Sequence, residues 1–341
     1  GRTAWQSFRN VALLSLMSFL MTPWSALNAQ TQAEPIPVRI GTGGVTGLYH
    51  AWGSTICRLL KHDSRFKCTT ITSDGSVENI EKLRDRELDL AIVQADLQAR
   101  AFAGETPFEA IGAGTELRHI ATLTTEMMTA ITRPGVDISP DTEDPPLAYL
   151  GGGRSGGRAL VNLAIEHGFR ANSANLYIGD LRTAASVDAF CAGQFDVLLY
   201  FVGHPNDVTT QATQQCGAEL SPLDGPISTA ILGTEPFVEK THIPARHYET
   251  VDTDVPTFGT RATLMATTNL HNHTALAVSK ALFEGLDQIN RLHLAFVEFK
   301  LADFAAECNT APLHDGVLRY RQDNSIEPTP CNVLIGHDRT E

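Results

Sequence analysis

The sequence predicts an α/β protein built as two lobes. Three observations carry that expectation. A strand, glycine loop and helix pattern occurs twice, at residues 41–49 (GTGGVTGLY) and at residues 151–157 (GGGRSGG). Each copy runs on in the order βαβαβ, the grammar of a parallel sheet with both faces covered. Two long extended runs, 120–132 and 257–267, bracket the second copy like two crossings between lobes. The length, 341 residues, also exceeds that of an ordinary single domain.

The first unit starts with the apolar run Val38-Arg39-Ile40. After the glycine loop, Leu48, Trp52, Ile56 and Leu59 recur on one face of a helix. A strand follows over 68–72, then the turn Ser73-Asp74-Gly75. Ser76 is placed as a helix N-cap, with Asn79 at the third helical position. Residues 87–94 (ELDLAIVQ) form a buried strand, and Asp96 is placed to cap the next helix.

The second unit repeats this with strands at 147–150, 175–178 and 195–202 and helices at 159–167 and 184–191. Shifted back by 107 residues, Phe195-Asp196-Val197 falls on Leu88-Asp89-Leu90, and Val187 and Phe190 fall on Ile80 and Leu83. The chain then crosses back at 257–267 and enters one long helical pattern over 275–292. These crossings divide the chain into lobe I (35–128 plus 257–330), lobe II (129–256) and a C-terminal tail (331–341).

Composition narrows the function. Formal net charge is −13, so no basic surplus exists to neutralise nucleic-acid phosphates. At 43% hydrophobic and 19% charged, the mixture is that of a globular chain. Residues 1–29 read as a secretory signal: Arg2 and Arg9, an apolar run at 11–21 too short to span a bilayer, then small residues ending at Ala29. A membrane anchor is the competing reading. Export gives six cysteines an oxidising compartment. Six allow fifteen pairings; nearest neighbours would join Cys57–Cys68, Cys191–Cys216 and Cys308–Cys331. No CxxC or close Cys/His cluster suggests a metal, and His204, His271 and His273 read as surface residues.

A glycine loop opening a helix removes Cβ atoms and aims unpaired N–H groups at one point, which suits a carboxylate or phosphate. Gly43 and Gly44 are therefore candidate ligand contacts, and Tyr49 just inside the helix and Ser73, Ser76 and Asn79, short polar groups at the next helix start, could join them. A dinucleotide fingerprint fails, because Thr46 stands where the third glycine belongs. In the second loop Arg158 could clamp a second carboxylate. Ser155 matches G-x-S-x-G spacing, which leaves an exported serine hydrolase as an alternative. A ligand sensor for a membrane kinase is another.

Several stretches together resemble a known family: GTGGVTGLYHAWG, TSDGSVENIEKLRDRELDLAIVQAD, FCAGQFDVLLYFVGHPN, DVPTFGTRATLMAT with SKALFEGLD, and APLHDGVLRYRQ. Over about residues 37–322 the chain resembles the TAXI subfamily of solute receptors, the periplasmic binding subunits of TRAP transporters. The resemblance implies a two-lobed periplasmic binding-protein fold, type II-like, each lobe a mostly parallel sheet flanked by helices. It implies a monomer without cofactor or metal that captures an organic anion or amino acid, such as glutamate or a related dicarboxylate. It hands that solute to a membrane permease. The ligand contacts it implies are Gly43, Gly44, Tyr49, the 73–79 turn, Gln94 and Asp96, with Ser155, Gly156 and the stretch around Gly203 in lobe II. Many relatives read Ser-Gly-Thr where this chain has Ser155-Gly156-Gly157, so one hydroxyl donor is missing.

Overall fold

A computed structural model describes residues 33–45, 47–139, 141–151, 160, 162–163, 176–178 and 183–333. The expected signal segment 1–29 lies outside them, as do Ser155, Gly156, Gly157 and Arg158. From Pro35 the chain forms one compact unit.

The first unit is strand β1 (Ile36–Gly41), helix α1 (Leu48–Leu60), β2 (Phe66–Ile71), α2 (Ser76–Arg84), β3 (Leu90–Gln94) and α3 (Ala95–Ala103). The long strand β4 (Leu117–Thr132) leads out of it. The second unit contains β5 (Ala148–Leu150), β6 (Leu176–Ile178), α4 (Thr183–Cys191), β7 (Val197–Val202) and α5 (Asp207–Cys216). Then come β8 (Glu219–Ser221), α6 (Pro226–Leu232) and β9 (Glu239–Ile243). The long strand β10 (Val255–Thr267) returns, followed by α7 (Asn272–Glu284), α8 (Leu286–Leu292), α9 (Leu301–Phe304) and α10 (Asp315–Asp323).

All ten described strands join one sheet in the order β2-β1-β3-β10-β4-β7-β5-β6, with β8 on β4 and β9 on β10. The parallel pairs lie within the units: β1 pairs with β2 and β3, and β5 with β6 and β7. Antiparallel pairing enters only with the crossing strands and their attachments. β10 runs beside β3 and β9, β4 runs beside β7 and β8, and the two pair with each other. Residues 117–127 of β4 pair with β10, and 127–132 pair with β7. Both predicted crossings are therefore real strands, and they join the two units in one continuous sheet.

The internal repeat has a physical counterpart. The Asp89 carboxylate accepts from Arg39 N at 2.8 Å, while Asp89 N donates to Arg39 O at 2.9 Å. In the second unit the Asp196 carboxylate accepts from Leu147 N at 3.0 Å, and Asp196 N donates to Leu147 O at 2.8 Å. The same aspartate pins the first strand of each unit to the third.

One core cluster is built around Trp52, which is fully buried on α1. Its ring lies 4.1 Å from that of Phe296, and its indole N–H donates to Thr124 Oγ1 at 3.1 Å. Burying an aromatic body of this size while satisfying its N–H stabilises the junction by roughly 2–3 kcal/mol. The cysteines pair as nearest neighbours: Cys57–Cys68, Cys191–Cys216 and Cys308–Cys331.

The structure corrects several sequence expectations. The N-cap of α2 is Gly75, at φ 118°, and Ser76 is already helical. The N-cap of α3 is Gln94, so Asp96 sits inside the first turn. The single helix expected over 275–292 breaks at Gly285 into α7 and α8. A Cβ there would lie 2.4 Å from Ala281 O and 2.8 Å from Leu59 Cδ2. His204, expected at the surface, is buried between Thr129 and Tyr248. Finally, residues 331–333, assigned to a tail, are packed, and Val333 is fully buried.

Candidate functional site

The C-terminal ends of β1 and β3 and the N-terminal turns of α1, α2 and α3 meet at one edge of the first unit. Gly43 and Gly44 stand at this edge, and a Cβ on Gly44 would meet nothing within 4 Å. The first N–H groups of α1 have no acceptor inside the helix, and the helix dipole adds partial positive charge there.

Beneath the loop the short polar residues form two connected sets. Ser73 and Asn79 hold the loop itself. Asn79 Nδ2 donates to Thr42 O at 2.7 Å and Ile92 O at 2.8 Å. Ser73 Oγ lies 3.0 Å from Thr42 O and 2.6 Å from Asn79 Oδ1. Asn79 is fully buried, so its part is to fix the loop's backbone.

The second set runs through Tyr49. Its hydroxyl donates to Glu126 Oε2 at 2.8 Å and lies 3.3 Å from Ser76 Oγ. Ser76 Oγ accepts from Gln94 N at 3.0 Å, and Gln94 Nε2 donates to Asp96 Oδ1 at 3.0 Å. Tyr49, Ser76, Gln94 and Asp96, four of the predicted residues, thus form one network with Glu126 on β4.

The electrostatics are unusual. Burial, then the negative charge of Glu235, pushes the Asp96 carboxyl up to about 7. Burial, with Asp96 adding to it, pushes Glu126 up to about 8. Burial and Glu126 likewise raise the Tyr49 hydroxyl well above its ordinary range. Asp96 is buried and Glu126 half-buried, and two nearby carboxyls of this kind hold protons near neutral pH or welcome a cation that relieves them.

The second unit reaches this edge through Gly203, just after β7. A Cβ on Gly203 would fall 2.0 Å from Leu48 Cδ1 and 3.3 Å from Thr125 O. Leu48 opens α1, directly after the glycine loop. The missing side chain lets the end of β7 approach the start of α1 here. Arg100 on α3 adds a bridge to Glu235, with contacts of 2.6 and 3.1 Å. The Glu235 side chain is only 3% exposed, while the Arg100 side chain is 26% exposed, so the carboxylate is the buried end of the pair.

A small cavity of about 50 Å³ lies nearby, lined among others by Thr124, His204, Thr241, His247, Leu294 and Glu298. It has room for about three waters. The buried Thr241 hydroxyl has no hydrogen-bond partner among the described residues.

Glu126 was missed by sequence reasoning. A signal existed: it is the lone acid in the run 120–132, and a carboxylate inside a buried strand is costly without a role. Among the described residues no group of His, Cys, Asp and Glu could hold a metal ion, and no helix is long and apolar enough to cross a membrane.

The chain is similar to several solved structures. A protein of Bordetella bronchiseptica is 14% identical, with 88% of this chain and 85% of that one covered and a TM-score of 0.47. The ligand-binding component of an ABC-type import system from Staphylococcus aureus is 10% identical, with 86% and 94% covered and a TM-score of 0.45. The alkanesulfonate-binding protein SsuA of Xanthomonas axonopodis pv. citri is 17% identical, with 86% and 92% covered and a TM-score of 0.40. The model of the NMT1-like family matches residues 40–323, most of the chain, and this protein belongs to that family.

Proposed function

We propose that this protein is the solute-binding subunit of a transport system. It works outside the inner membrane, in the periplasm, and captures a small organic anion or amino acid between its lobes. The observation that carries this reading is the meeting of Gly203 with Leu48 beside the network of Tyr49, Ser76, Gln94, Asp96 and Glu126. Loop amides above and protonatable acids below give one small site two opposite kinds of partner. A ligand carboxylate fits the N–H groups of the glycine loop and the start of α1. A ligand ammonium fits the acids. Both together favour an amino acid over a bare dicarboxylate.

The TAXI resemblance supports a TRAP-type permease as the membrane partner and a glutamate-like solute. Lobe I at 35–128 plus 257–330 and lobe II at 129–256 are the bodies that would close. Ser155, Gly156, Gly157 and Arg158 are further candidate ligand contacts in this reading. Titration calorimetry with amino acids, 2-oxoacids and dicarboxylates tests it, alongside mass spectrometry of what copurifies. Binding of an amino acid that weakens about tenfold or more in Tyr49→Phe or Asp96→Asn supports the reading. If no compound in the three classes binds and nothing copurifies, the reading fails.

A further inference from the structure

The last described residues follow a path across the crossing strands. Thr329 is fixed to lobe I, where its N–H donates to Ala305 O at 3.1 Å and its hydroxyl to Ala302 O at 2.6 Å. Cys331 is bonded to Cys308. Next, Asn332 O accepts from Arg261 Nη1 of β10 at 2.7 Å, and Val333 O accepts from Thr125 Oγ1 of β4 at 2.6 Å. Val333 N then reaches the Glu239 carboxylate of β9, in the lobe II segment, at 3.4 Å. Phe237, just before β9, packs with Ala95, Ala306, Cys308 and Cys331, and its carbonyl accepts from Thr260 Oγ1 of β10. In five residues the chain touches lobe I, both crossing strands and lobe II.

We infer that residues 329–333 are a strap that limits how far the lobes rotate about β4 and β10, with the Cys308–Cys331 bond as its anchor. This inference rests on the two-lobed capture reading. Rotation about two strands needs their backbone to twist where the lobes part, near 124–128 and 255–261. The strap ties that stretch of each strand, at Thr125 and Arg261, to a cross-linked element of lobe I. Its contacts on the strands are made through its own carbonyls. The side chain of Val333, fully buried, fills the space beneath.

Amide hydrogen exchange on the full mature chain tests the strap, comparing the parent with Cys308→Ser/Cys331→Ser and with a chain ended after Pro330. Exchange over 124–128 and 255–261 is expected to quicken about tenfold, the factor for losing one or two net hydrogen bonds. Strands β1 and β3 should stay within about twofold of the parent, because no strap bond reaches them. Unchanged exchange at the crossing strands overturns the inference. So does equal acceleration in every strand, which would mean only lower global stability. Should those variants fail to fold, Thr125→Val with Glu239→Leu decides, since it removes the Thr125 donor and the Glu239 acceptor and keeps the disulfide. Local acceleration of about threefold supports the strap, and none overturns it. The calorimetric panel is read separately: solute binding without any effect of the strap variants sinks this inference alone.

Discussion

Replacing Glu126 with glutamine should stabilise the protein at alkaline pH and leave it unchanged at acid pH. Glu126 lies on β4, accepting from Tyr49, and burial with Asp96 raises its carboxyl from 4.5 to about 8. The unfolded chain releases that proton near 4.5, whereas the folded protein keeps it to about 8. Between those values the folded state binds more protons, so stability is full below about 4.5 and falls as pH rises through about 8. At 1.36 kcal/mol per unit, the span allows a loss of up to about 5 kcal/mol. Asp96, itself raised to about 7, shares the mutual repulsion, so the part removable at Glu126 is about 2–5 kcal/mol.

Glutamine keeps an oxygen to accept from Tyr49 and never ionises. Urea denaturation of both proteins at pH 4.5, 7 and 9 reads the effect directly. The two should coincide at the lowest pH and separate progressively, with the variant the more stable by about 2–5 kcal/mol at pH 9. Parallel curves across the whole range would refute the reasoning, because Glu126 would then titrate alike in folded and unfolded chains. A variant less stable at pH 9 would refute it more strongly, since the charged form would be the favoured partner of Tyr49.

Three further perturbations probe the same architecture. Arg100→Ala strands the buried Glu235 carboxylate, and should cost about 3–5 kcal/mol in urea denaturation, with Arg100→Lys recovering part of it. Gly203→Ala drives a methyl group into Leu48, and should cost about 1–3 kcal/mol that Leu48→Ala largely restores in a double-mutant cycle. Cys57→Ser with Cys68→Ser opens a loop of separation 11, and should lower stability by about 2–3 kcal/mol in the same assay.

The repeat was readable from sequence because its parts are local and chemically distinctive. Asp89 and Asp196 stand at one offset, and each sits where a strand begins; a carboxylate there has few uses other than the neighbouring backbone N–H it holds. Glycine loops and apolar periods are equally local. Helix starts were read one residue or more wrong for a definable reason. Ser76 and Asp96 are good capping types, but Gly75 at φ 118° takes the cap position, and Ser76 Oγ is committed to Gln94 N instead. A tertiary bond from β3 displaced the local preference.

Glu126 and the strap failed to show for a different reason. Tyr49 and Glu126 are 77 positions apart, and only the crossing of β4 beneath α1 brings them together. Residues 331–333 hold their place largely through backbone: the carbonyls of Asn332 and Val333 take the side chains of Arg261 and Thr125. Every residue has a carbonyl, so nothing in the letters marks that stretch as anchored. What the letters do mark is the other half of each bond. Arg261 is an arginine in the middle of a buried strand, 1% exposed, and a buried guanidinium requires acceptors. It donates to Leu123 O within the sheet and to Asn332 O outside it. An ionisable side chain in a crossing strand, buried Arg261 in β10 or half-buried Glu126 in β4, is thus where the sequence announces that a distant segment must come to meet it.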